Sequence, residues 1–303
     1  MTFNEFAQYT KNNITRHLYN KDVFGVTVEY TNHVNTESKA DLVIYTGKMN
    51  YGLSLDYYYR MYKRSSDIDY TIKMMAKKYN EITEHDSFKA LPGVDDIYDQ
   101  VIYRTVSYKE NQATLYNVIH EKKMDLANMI CIPVRNIRDE VVGVAPVTNA
   151  YLYENDLSRT MLIEAANRNT PNFLPATIKP LFSKKESTVH QIQPWSMYQL
   201  TNSEKTFGAG VVFYDGIMNE LSKKSGGMDI VLLPASVHEW VIIPVPVNDE
   251  INIREFKNMV RQINNYTLPP EEFLSDNIYK YKNQTRELII LEPAREKLLR
   301  EER

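Results

Sequence analysis

Cysteine is nearly missing from this chain. Cys131 is the single example in 303 residues, which excludes an intramolecular disulfide and a cysteine-rich zinc site. Its neighbours, Met129-Ile130-Cys131-Ile132, point to an inert buried thiol rather than a nucleophile. Long apolar runs are missing as well, and none approaches the roughly 20 residues that span a bilayer. The opening Met1-Thr2-Phe3-Asn4-Glu5-Phe6 has neither the basic nor the apolar region of a secretory leader. A cytoplasmic protein without membrane contact is therefore expected. Charge of one sign is not in excess either. A net charge of −3 argues against a surface that grips nucleic acid all over, because phosphates demand a clustered positive field. It leaves room for a local basic patch. Glycine motifs for phosphate are absent too. Gly208-Ala209-Gly210 lacks the third glycine of a dinucleotide fingerprint, and Gly47-Lys48 lacks the preceding glycine and following hydroxyl of a phosphate loop. The histidines His17, His33, His85, His120, His190 and His238 form no pair at metal-ligand spacing. Neither a cofactor nor a metal is implied.

What is present is the material of a folded core. Hydrophobic residues make up 43% and charged residues 25%, ordinary for a globular chain long enough for one large or two smaller domains. The 22 tyrosines suit half-buried strands and contact surfaces alike. Thr2 and Glu5 have capping-box spacing, which predicts a first helix with Phe3, Ala7, Thr10, Ile14 and Leu18 on one face. Strands are predicted over 23–30 and 41–46, with a turn over 47–52. A helix capped by Ser66 then buries Ile68, Ile72, Met75, Tyr79 and Ile82. Residues 84–96, with Pro92-Gly93, read as a linker, and 99–108 as either strand or short helix. An apolar hairpin follows over 126–134 and 141–147. A helix over 157–168 should stop at Asn169-Thr170-Pro171, and 175–194 reads as irregular.

The closing third is the least generic. A strand over 195–201 precedes 208–213, readable as strand or glycine-started helix. Asp215 can cap a helix that Gly226-Gly227 ends. Then come an apolar hairpin over 228–246, a helix over 253–265 capped by Asn252, and a hairpin over 278–281 and 287–291. The expected buried stripe of that helix is Ile253, Phe256, Val260 and Ile263, and a charged helix is expected over 293–303. The sum is an α+β fold of hairpin-plus-helix units, packing antiparallel or mixed sheets against helices. The boundaries fall at 1–90, 91–194 and 195–303. Asp41, Asp125 and Asp229 each open an apolar hairpin followed by a helix, a spacing that admits a threefold repeat.

Candidate chemistry is thin. Ser236, His238 and Glu239, with His120 elsewhere in the chain, are the residues from which a hydrolase or metal site could be assembled. Adjacent side chains on a regular strand diverge, no nucleophile elbow surrounds Ser236, and Ile242 stands where a zinc-protease helix needs its second histidine. A turn-shaping role fits those residues better. Glu37-Ser38-Lys39 and Glu121-Lys122-Lys123 match a short Glu-x-Lys pattern of Mg²⁺ nucleases, common by chance in a charged chain. Tyr58, Arg60, Lys63 and Arg64 interleave aromatics with cations, as a nucleic-acid contact would. The competing reading packs the tyrosines inward and leaves the cations in water.

Several stretches carry a resemblance: Met1-Thr2-Phe3-Asn4-Glu5-Phe6, Tyr103-Arg104-Thr105-Val106-Ser107-Tyr108-Lys109-Glu110-Asn111, His120, Asp125-Leu126-Ala127, Leu162-Ile163-Glu164-Ala165-Ala166-Asn167-Arg168-Asn169-Thr170, Pro234-Ala235-Ser236-Val237-His238-Glu239 and Leu274-Ser275-Asp276-Asn277-Ile278-Tyr279-Lys280-Tyr281. Across nearly its whole length the chain resembles an uncharacterised bacterial family, known as a domain of unknown function and met near mobile elements. Ala235 departs from it where a second serine is usual, as does the bulky Trp240. The resemblance implies a compact cytoplasmic α+β protein and no particular activity or cofactor. A non-enzymatic protein-interaction or regulatory module, with a protein partner, is the reading that fits best. A metal-dependent hydrolase or nuclease is the alternative, and a nucleic-acid-binding protein the second.

Overall fold

The computed structural model describes residues 1–19, 23–31, 39–46, 50–84, 93–136, 139, 141–182 and 191–291. The Glu37-Ser38 pair, Gly47-Lys48, His33, His85, His190 and the charged segment 293–303 lie outside the described residues. The architecture is α+β, with three sheets that are antiparallel at every pairing and helices packed against them.

Helix α1 (Phe3–Asn13) starts on the expected capping box, with Thr2 and Glu5 each bonding the other's backbone N–H. Phe6, outside the expected face, is fully buried, as is Thr10. Strands β1 (Val23–Thr31), β2 (Lys39–Thr46) and β3 (Asn50–Ser54) form a three-stranded sheet in that order. The third strand replaces part of an expected turn, because Tyr51 and Leu53 pair with Ile44 and Leu42 and bury their side chains. Helices α2 (Leu55–Ser65) and α3 (Ile68–Glu84) complete a core of Phe6, Leu42, Ile44, Ile72, Met75 and Tyr79. Ser66 does not cap α3. It ends α2 in the left-handed region at φ 57°, and Asp67 takes the cap by accepting from the Tyr70 N–H at 2.9 Å.

The middle stretch opens with α4 (Ile97–Gln100) and β4 (Ile102–Ser107), so the ambiguous 99–108 segment holds both element types. Then follow α5 (Gln112–Asn117), β5 (His120–Lys123), β6 (Leu126–Arg135), β7 (Val141–Pro146), α6 (Asn149–Glu154) and α7 (Arg159–Phe173). Strand β6 is central: β4 covers one edge, while β5 and β7 share the other at its start and end. Helix α7 runs through Pro171, where a stop was expected. Tertiary bonds hold the turn: Asn169 Nδ2 donates to the Tyr98 and Val101 carbonyls, and Thr170 Oγ1 accepts from the Tyr103 N–H at 2.9 Å.

Strand β8 (Ala176–Pro180) gives order to part of the stretch expected to be irregular. It joins β9 (Tyr198–Asn202), β10 (Asp229–Ser236), β11 (Glu239–Val245), β12 (Ile278–Lys282) and β13 (Glu287–Leu291) in a six-stranded sheet ordered β13-β12-β10-β11-β9-β8. Residues Gly208–Phe213 are a 3₁₀ helix, and α8 (Ile217–Lys224) follows without a side-chain cap, so Asp215 does not play that role. Gly226 and Gly227, at φ 80° and 87°, close α8 as expected. In α9 (Ile253–Tyr266) the Asn252 cap forms. Of the expected stripe only Val260 is fully buried, and Ile263 is 38% exposed.

One large apolar core runs from Ile97 to Tyr281, joining the four- and six-stranded sheets around Trp240. The indole stands edge-on to Tyr279 and donates to the Ala209 carbonyl at 2.7 Å. The 3₁₀ backbone comes this close because residue 208 is glycine. A Cβ there would lie 2.2 Å from Thr201 Oγ1 and 2.4 Å from the His238 carbonyl. Gly208 serves close approach.

Candidate functional site

Three distant stretches of chain meet around a cleft of about 590 Å³, a size that suits a small organic ligand. Helices α2 and α3 supply Tyr57, Tyr58, Met61, Met74, Lys77 and Glu81; the 269–272 turn supplies Pro269, Glu271 and Glu272; Arg104 reaches in from β4. Tyr58 is buried, and burial pushes its phenol up to about 12, so it stays neutral at physiological pH.

Arg104 is the unusual member. A guanidinium inside a sheet ordinarily finds carboxylates or carbonyls for its five N–H groups. Among the described residues no carboxylate lies within ion-pair distance, and its buried Nε has no acceptor. Its contact is the Phe207 ring, 4.4 Å from the guanidinium carbon. Burial pulls its pKa down from the ordinary value. Phe207 holds a left-handed φ of 55°, uncommon for a non-glycine residue, and also stacks on His238 at 5.7 Å.

His238 sits in the tight turn between β10 and β11. Its Nδ1 accepts from the Phe207 N–H at 3.0 Å, so the neutral ring must carry its proton on Nε2. That Nε2 lies 3.9 Å from Glu272 Oε1. Burial, and then the charge of Arg104, lower the His238 pKa. Glu272 moves the other way: burial raises its pKa, and the neighbouring Glu271 and Glu239 add to the effect. Perturbed groups side by side are a mark of working sites. Here, though, the imidazole offers a donor at Nε2 and has no free lone pair, so it can neither take a proton nor bind a metal without giving up its backbone bond.

The other sequence candidates are dispersed around this centre. Ser236 Oγ accepts from the His238 backbone N–H at 3.0 Å rather than from its ring. Glu239 is hydrogen-bonded by the Gln199 amide of β9 while its charge still reaches Glu272. His120 lines a different recess with Tyr116 and Arg159, its Nδ1 lying 3.1 Å from the Val118 carbonyl, and it shares no hydrogen bond, ion pair or ring contact with His238. Glu121 pairs with Lys123 along β5 at 2.6 Å. Among the described residues, no three His, Cys, Asp or Glu side chains are grouped to hold a metal ion. On α2, Tyr58 faces the core, and Lys63 extends over the Tyr59 ring at 5.7 Å. Arg60 and Arg64 line a neighbouring recess with Tyr266. Cys131 is buried with its pKa raised to about 12, an inert thiol.

Arg104, Phe207 and Glu272 went unnoticed in the sequence. The available signal was a lone arginine amid the buried residues of Tyr103-Arg104-Thr105-Val106. Nothing local marks Phe207 or Glu272 as its neighbours.

A family model matches residues 3–283, and the chain belongs to that family, the family of unknown function DUF5688. Neither a curated protein nor a solved structure matches the chain. Among the described residues no helix is long and apolar enough to cross a membrane.

Proposed function

We propose that this member of DUF5688 is a non-enzymatic interaction or regulatory module that binds its ligand in the Arg104 cleft, acting in the bacterial cytoplasm as the sequence resemblance implies. One observation carries the reading: the cleft draws walls from all three stretches of the chain, while His238 beside it is tied at Nδ1 to the Phe207 N–H. A ligand there touches α2, α3, β4 and the 269–272 turn together, so its binding free energy bears on how those parts are held. A general base with a free lone pair, which hydrolysis needs, is not on offer from His238. The perturbed Glu272 and His238 favour the hydrolase as second reading, and the test separates the two.

Amide hydrogen exchange is followed with and without the low-mass fraction of a cell extract. The module predicts slower exchange over 53–61, 74–81 and 269–272. In parallel, chromogenic ester and phosphodiester substrates are offered with Mg²⁺, Mn²⁺ or Zn²⁺. Metal-dependent turnover that disappears in His238→Gln would replace the module by the hydrolase.

A further inference from the structure

We infer that the cleft takes a small zwitterion of the apolar amino-acid class, with its carboxylate on Arg104 and its ammonium beside Glu272. The inference rests on the cleft reading above. Arg104 lines the cleft with a buried Nε that no described residue satisfies, and Phe207 holds its guanidinium plane in place. A planar fork of donors held in one orientation matches a carboxylate, which accepts two parallel bonds. The remaining charge selects against more highly charged anions. Asp41, Glu81, Glu271 and Glu272 line the same cleft against Lys77, Lys78 and Arg104, so a phosphate dianion would meet net repulsion.

Glu272 is close enough to Arg104 for each to influence the other's ionisation, yet the two are not in ion-pair contact. A ligand carrying both charges satisfies both groups by sitting between them. Leu53, Tyr57, Met61, Met74 and Pro269 give the cleft an apolar wall for the side chain. Glu272, raised by burial and its acidic neighbours, gains a cation when the ammonium arrives.

The test uses the full chain and isothermal titration with L-leucine, 4-methylpentanoate, isoamylamine and inorganic phosphate, repeated on Arg104→Gln and Arg104→Lys. L-leucine is expected to bind, and deletion of either charged group to weaken binding about 10-fold or more. Arg104→Gln should abolish the binding, and Arg104→Lys should weaken it, since an ammonium keeps the charge and loses the fork. Unliganded Arg104→Gln should melt at or above the wild-type temperature, because an uncompensated buried charge is removed; a purely structural arginine predicts the reverse. No heat with L-leucine, binding of phosphate alone, or L-leucine binding untouched by Arg104→Gln each overturns the inference. If the first result comes with protection of the cleft amides by cell extract, the module survives and only the ligand class falls.

Discussion

Asp125 and Arg104 are two charges of one four-stranded sheet region with opposite fates. Asp125 sits in the turn before β6 and is met by three donors from one stretch: Ser275 Oγ at 2.7 Å, Asn277 Nδ2 at 2.9 Å and the Tyr279 hydroxyl at 2.7 Å. Asp229 repeats the arrangement with Lys280 at 2.8 Å and the Asn283 N–H at 2.9 Å. The segment 275–283 thus fastens two strand starts to the same hairpin. Arg104 receives an aromatic face, and among the described residues its buried Nε has no acceptor. A charge left half-solvated normally costs stability unless its hydrogen bonds are made. The fold completes them at Asp125 and leaves them open at Arg104. The difference separates a structural clasp from a site with room for something else.

The comparison can be broken most easily at Asp125. Asp125→Ala leaves three donors without their acceptor and should destabilise the protein by about 3 kcal/mol, read as a lower midpoint in urea unfolding. A loss below about 1 kcal/mol would mean that water replaces the carboxylate and that the clasp is ornamental. At the Arg104 end, Gly208→Ala pushes a methyl into Thr201 and the His238 carbonyl and should cost about 2 kcal/mol. It should also loosen the Phe207–His238 corner, visible as faster exchange of the Phe207 amide.

The smallest effect is in pH. The folded His238 has a pKa below the ordinary 6.5. As pH falls through 6.5 the unfolded chain binds a proton that the folded ring refuses, so stability declines until the folded pKa is passed. Glu272 has the opposite sign: its raised pKa makes stability decline as pH climbs from 4.5 through the folded value. His238→Gln should therefore flatten the melting-temperature curve just below pH 6.5, while Glu272→Gln should flatten it above 4.5. A His238→Gln curve parallel to wild type would show that the imidazole is free to charge, and the tautomer argument would fall with it.

Much of this was legible before the fold was known. The capping box at Thr2 and Glu5, the stop at Gly226-Gly227, the Asn252 cap and the hairpins over 126–147, 228–246 and 278–291 all rest on neighbours in sequence, and each formed. The readings that failed depended on partners far away. Ser66 lost its cap role because α2 ended on it, and α7 ran past Asn169 because Tyr98, Val101 and Tyr103 bond its last turn. Strand β3 was drawn out of an expected turn by the partners that β2 offered.

The chain's local order thus fixed the α+β class, the apolar hairpins and the inert Cys131, because periodicity, caps and turns act over a few residues. It could not assemble the cleft. Arg104, Phe207, His238 and Glu272 lie on four separate segments, and whether a guanidinium finds a carboxylate depends on distances that only three-dimensional closure sets. The tertiary structure alone decided that Asp125 would be answered and that, among the described residues, Arg104 would not.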